Sequence, residues 1–237
     1  MQTSKVVPGE QFKNKILLAI PDSEQRLIRP HLEQFEFRQQ DILHEPAQAL
    51  EYAYFPNGGL ISLLVATEDG KTVEAGMVGN EGVVGVASAV GLTISPLRHV
   101  VQIPGDGFRI KVGVLQNRLK ATPQLQTALS RYAVVRGMQV AQTAACNRLH
   151  EVGERLARWL LMATDRVDSS SLPITHDFLA TTLGTDRPAS VLPLRLFRER
   201  ESFSIAVAPS RFLTASGWKR RPANATKSSS NSTLCFT

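Results

Sequence analysis

The chain has 237 residues, 43% of them hydrophobic, and a formal net charge of +6. That is enough apolar content for one large or two small domains, and no run of about 18 apolar residues predicts a membrane span. The first residues, MQTSKVVPGEQFKNK, hold no apolar h-region and so predict no secretory signal. Two cysteines, Cys146 and Cys235, cannot make a disulfide framework, which fits a reducing cytoplasm. The charge is unevenly placed. Residues 187–237 carry nine Lys/Arg against two acids, and residues 1–186 carry eighteen basic against nineteen acidic groups.

In chain order, residues 12–33 read as two short helices broken at Pro21, with Asp22 and Ser23 capping the second. From Phe35 to Ile110 the texture becomes that of an antiparallel β structure. Apolar or alternating runs at Tyr52–Phe55, Leu60–Ala66, Thr72–Val78, Val83–Ala89, His99–Ile103 and Gly107–Ile110 are separated by turn signals such as Pro56-Asn57-Gly58-Gly59 and Gly79-Asn80-Glu81-Gly82. Short strands at near-regular spacing predict a small barrel or β-roll. A brief helix follows over Val112–Lys120. Pro123 then opens a helix reaching about Arg148, roughly 40 Å at 1.5 Å per residue. This helix has two apolar rows: Leu125, Leu129, Tyr132 and Val135 on one, Val134, Met138, Ala141 and Ala145 on the other. It therefore needs two partners, its own roll and either a second intrachain element or a symmetry mate in a two-fold dimer. The interface residues expected for the dimer are Leu125, Leu129, Tyr132, Val135, Met138 and Ala141.

Leu149–Val167 reads as a further amphipathic helix with Leu156, Trp159 and Leu160 toward the core, and residues 168–173 as a loop. Ile174–Ser190 then has the layout of a DNA-binding helix-turn-helix: Thr175 as N-cap, Asp177 in the first turn, an apolar stripe, Gly184 at the turn, and Thr185-Asp186-Arg187-Pro188 opening a second helix. An ordinary helical hairpin fits the same pattern. On the DNA-binding reading, Thr175, His176 and Thr185 are placed for phosphates. Arg187 and Ser190 are placed for base edges. Five scattered histidines show no metal spacing, and no GxSxG, P-loop or GxGxxG occurs, so an enzyme is not expected. No cofactor is expected either.

Taken together, HEVGERLARWLL followed by LPITHDFLATTLGTDRP, with VGNEGVVG in the β region, resembles the Crp/Fnr family of bacterial transcription regulators from about Phe12 to Pro188. The resemblance implies an α+β protein in four parts. They are an N-terminal antiparallel β-roll sensor like a cyclic-nucleotide-binding domain (a jelly-roll-like double-stranded β-helix, residues 12–122), a dimerisation helix (123–148), a C-terminal winged helix-turn-helix domain (149–190), and a tail (191–237). It implies a cytoplasmic homodimer that binds palindromic double-stranded DNA and has no membrane partner. A small-molecule effector would sit around Gly79, Glu81, Gly82 and Arg98, where a structural turn is the plainer reading. Members that bind cyclic AMP grip its phosphate with an arginine beyond a Gly-Glu pair. Here Ser95 aligns with that arginine, so tight cyclic-nucleotide binding is not expected. Nor is there an N-terminal cysteine cluster for an iron–sulfur sensor.

After Pro188 the resemblance stops. Pro193 would break the recognition helix after little more than one turn, the wing is missing, and the Ser/Thr/Asn-rich tail is expected to be disordered. Codon degeneracy permits a frame one base out of register in which the missing helix and wing reappear, so a single-base loss near Pro188 is the expected cause. DNA binding by this chain is expected to be impaired. The alternative is a small-molecule sensor or dimeric interaction module that works without sequence-specific DNA binding.

Overall fold

A computed structural model describes residues 11–67, 72–167, 171–175 and 202–206. The chain begins with α1 (Lys15–Ala19) and α2 (Asp22–Ile28), followed by a 3-10 turn at Arg29–His31. Asn14 organises this entry. Its Oδ1 accepts from the N–H groups of Ile16 and Leu17, and its Nδ2 donates to the carbonyls of Pro56 (3.0 Å) and Gly82 (2.7 Å). A fully buried amide with these partners caps α1 and ties it to two turns of the roll. At α2 the expectation is corrected. Pro21 occupies the N-cap and Asp22 and Ser23 lie inside the helix, with no side-chain cap.

Seven strands form two antiparallel sheets. One has the order β1 (Glu33–Phe37), β7 (Gly105–Lys111), β3 (Tyr52–Pro56). The other has the order β2 (Ile42–His44), β6 (Arg98–Ile103), β4 (Leu60–Ala66), β5 (Thr72–Val78). Side-chain alternation sends each strand's residues to two different cores. Tyr54, Ile61, Leu63, Val78 and Val101 fill the interior between the sheets with Phe37. On the outer face of the first sheet, Phe55 and Phe108 pack with Ile16, Leu17, Leu115, Leu125 and Leu129. On the outer face of the second sheet, Leu60, Met77 and Ile103 pack with Leu156, Trp159 and Ala163. Both sheets are thus buried on both sides.

Two strands of the sheets were not expected. Glu33, assigned above to a helix, begins β1, and β2 is only three residues long. Conversely, Val83–Ala89 is not a strand. Val84 makes one bridge to Tyr54, and the chain then turns into a 3-10 segment, Val86–Val90, flanked by Gly85 and Gly91 at φ values of 83° and 88°. Two left-handed glycines within seven residues break the extended run that its valines favour.

α3 (Val112–Leu119) leads to α4 (Pro123–Leu149). Pro123 sits in the first turn, and Glu24 of α2 receives the N–H groups of Gln124 and Leu125, both at 2.9 Å. A carboxylate a hundred residues earlier in the chain thereby caps the long helix at its positive end. His150 is extended and separates α4 from α5 (Val152–Val167), so Leu149 closes α4 rather than opening α5. Residues 171–173, expected in a loop, belong to β8 (Ser171–Thr175), which pairs antiparallel with β9 (Ser202–Ala206). β9 lies inside the tail expected to be disordered, and its pairing corrects that expectation for these five residues. No helix of the described residues is long and apolar enough to cross a membrane.

Candidate functional site at the junction of roll and helices

The turn Gly79–Gly82 leaves β5 and is held from three sides. Glu81 Oε2 accepts from the Gly79 N–H (3.0 Å), and Oε1 accepts from Arg166 Nε of α5 (3.0 Å). The Asn80 carbonyl accepts from the Lys15 N–H at 2.8 Å. Gly82 lies directly under Tyr132 of α4, so close that an added Cβ would fall 2.0 Å from the phenol oxygen. Burial raises the Tyr132 pKa, with the Glu81 charge adding to it. Of the expected effector residues, the structure therefore gathers Gly79, Glu81 and Gly82 and spends them on contacts to α4 and α5. Arg98 stands apart. It is opposite Leu64 in the ladder, whereas Val78, next to Gly79, is opposite Ile61, an offset of roughly 13 Å at strand rise. Its guanidinium binds Glu45 bidentately at 2.7 and 3.0 Å.

The junction continues into a buried polar cluster that sequence reading missed. Glu74 of β5 accepts from Ser62 Oγ and from Trp159 Nε1, the latter at 2.8 Å. Arg136 of α4 is buried and donates to the Met77 carbonyl at 2.8 Å. Arg166 is buried too, between Glu81 and the Met162 carbonyl. Desolvation pushes the Glu74 pKa up to about 7, against the lowering effects of Ser62, Trp159, Arg166 and Arg136. Inside the roll, His99 packs against His44 with ring centroids 4.9 Å apart and the rings tilted by 40°. Burial holds the His99 pKa down to about 3, aided by His44 and Arg136. Strand β5, helix α4 and helix α5 thus meet through charged side chains rather than through apolar contact alone. A carboxyl that changes charge near neutrality lies in the middle.

The dimer residues divide. Leu125 and Leu129 are wholly buried inside the protomer and Tyr132 packs beneath the roll turn, so all three are removed from any interface between copies. Val135 and Met138 are exposed, at 46% and 65%, with Val134 beside them at 59%, and Ala141 and Ala145 are exposed too. The second apolar row, not the first, faces outward. Of the expected DNA contacts, Thr175 is the last residue of β8. His176, Thr185, Arg187 and Ser190 lie outside the described residues.

No family model and no curated protein matches the sequence. Solved structures do. The chain is similar to the c-di-GMP-responsive global regulator CLP of Xanthomonas campestris at TM-score 0.65 and 14% identity, covering 79% of this chain and 100% of that one. A protein from Eubacterium rectale described as a transcriptional regulator of the crp/fnr family gives TM-score 0.62 at 14% identity, with 81% and 93% covered. FixK2 of Bradyrhizobium japonicum gives 0.59 at 16% identity, with 73% and 91% covered. The chain has the fold of the Crp/Fnr regulators.

Proposed function

We propose that this chain is a transcription regulator of the Crp/Fnr type, in which the roll senses a signal, α4 pairs with a second copy, and residues 149–190 address a palindromic duplex. The observation that carries this reading is the outward row of α4. Val134, Met138, Ala141, Ala145 and Leu149 recur at helical spacing and are all exposed, on a helix whose other side is already fixed to the roll. A solvent-facing apolar stripe on a 27-residue helix suits a two-fold helix pair. The signal route is the junction. An effector that loosens the Gly79–Gly82 turn acts on Tyr132 of α4 and Arg166 of α5 together, since the turn holds both. The sequence after Pro188 departs from the recognition-helix pattern and carries Pro193, so on this reading specific affinity in this chain is weak.

The test is selection from a random duplex library, run with this chain and with a version whose frame is restored after Pro188. Enrichment of a two-fold symmetric sequence by the restored version is expected. Failure of the restored version to enrich any sequence removes the regulator reading.

A further inference from the structure

A cleft of about 40 Å³ opens to solvent where β5, the last turns of α4 and the first half of α5 meet. Its polar wall is Thr143 and Asn147 from α4 and Arg155 and Arg158 from α5, and Met77 and Trp159 make its apolar floor. Residues 143 and 147 are one helical turn apart, as are 155 and 158, so each pair lies on one face of its helix. Arg158 Nη1 donates to Thr143 Oγ1 at 3.2 Å. Among the described residues no carboxylate forms a salt bridge with Arg158. The one acid on the wall, Glu74, has its two oxygens engaged by Ser62 and Trp159. The cleft therefore offers a half-buried guanidinium fork with a hydroxyl and an amide beside it. A water needs roughly 10–15 Å³ of cavity, so the space takes about three waters or one small anion.

We propose that this cleft binds a small oxyanion, a carboxylate or phosphate-sized group, through the fork of Arg158 with the Asn147 amide beside it. A planar donor fork that can present two parallel N–H bonds is the group that recognises paired anionic oxygens. Because its donors come from α4 and α5 beside the β5 floor, a bound anion ties these two helices together on the route from the roll. That consequence rests on reading the roll as a sensor; the binding itself does not.

The test uses the full chain carrying Trp218→Phe, so that Trp159 is the sole tryptophan. Sodium acetate and sodium phosphate are titrated separately at constant ionic strength set with sodium chloride, following tryptophan emission and heat. A saturable response to at least one anion is expected, weakened at least tenfold by Arg158→Gln and unchanged by Arg131→Gln, an exposed α4 position outside the cleft. Response to acetate alone identifies a planar carboxylate ligand, and response to phosphate alone a tetrahedral one. If Arg158→Gln fails to fold, Asn147→Leu takes its place, with weakening again expected. No saturable response to either anion, or a folded cleft variant that titrates like the parent, overturns the proposal. Loss of DNA selection by the frame-restored version with anion binding intact leaves this site standing and removes only the regulator reading.

Discussion

At the scale of single residues, the junction makes stability depend on pH through two buried groups of opposite kind. Between about pH 4.5 and 7 the folded chain keeps the proton on Glu74 that the unfolded chain has released. Folding stability therefore falls as pH rises through that window, by about 3 kcal/mol in all. His99 works the other way. Below pH 6.5 the unfolded chain takes up a proton that the buried ring refuses until about pH 3, so stability falls as pH drops through that range. Where the windows overlap the two slopes cancel. Glu74→Gln keeps an acceptor for Trp159 and removes one slope. Urea unfolding at pH 5 and pH 8 should show the variant gaining on the parent by about 2–3 kcal/mol between the two. A constant difference would place the proton elsewhere. Gly82 supplies a steric prediction. Its added Cβ would meet Tyr132 Oη at 2.0 Å and Cζ at 2.1 Å, so Gly82→Ala should destabilise by about 3 kcal/mol. Pairing it with Tyr132→Leu should recover part of that loss in a double-mutant cycle.

At the scale of elements, α4 has an inner half-face and an outer one. Met138→Glu places a charge on the outer face, where the side chain is 65% exposed. Sedimentation velocity should therefore show a dimer converted to monomer, with the circular-dichroism spectrum unchanged. A dimer that survives both this substitution and Val134→Glu would locate the interface elsewhere. The two rows of this helix were legible in the sequence because both follow helical spacing, but which row faces the roll was not. Val135 was grouped with Leu125 and Leu129 on spacing, and it faces outward. The strands Leu60–Ala66 and Thr72–Val78 were legible from apolar runs bounded by glycine turns. Glu74 was not, because a register shift between Leu63 and Leu64 turns it onto the outer face that α5 covers while Val73 is left exposed. A bulge of one residue exchanges the two faces of a strand, and nothing in TVEAGMV announces it. Arg136 and Arg166 escaped for a related reason. Their acceptors, the Met77 carbonyl and Glu81, lie 59 and 85 residues away, beyond the reach of any local pattern.

At the scale of the whole molecule, two kinds of DNA affinity separate. Residues 187–237 hold nine basic and two acidic side chains, a composition that attracts phosphate without reading sequence. Such binding weakens steeply with salt, by roughly 0.9 in log–log slope for each phosphate neutralised. On the regulator reading, specific binding needs a continuous recognition helix, a conformation that the proline at position 193 of the sequence disfavours. Three proteins tell these apart by fluorescence anisotropy on a random duplex from about 50 to 200 mM salt, the range over which such contacts lose most of their affinity: the chain as it stands, a version ending at Pro188, and the frame-restored version. The first should bind with the steepest slope and no sequence preference, and the second should lose nearly all affinity. The third should bind more weakly than the first on random duplex while selecting its own sequence. Equal slopes for the first two would show that the charge after Pro188 does not reach the duplex, leaving residues 149–188 as the source of any affinity the chain has.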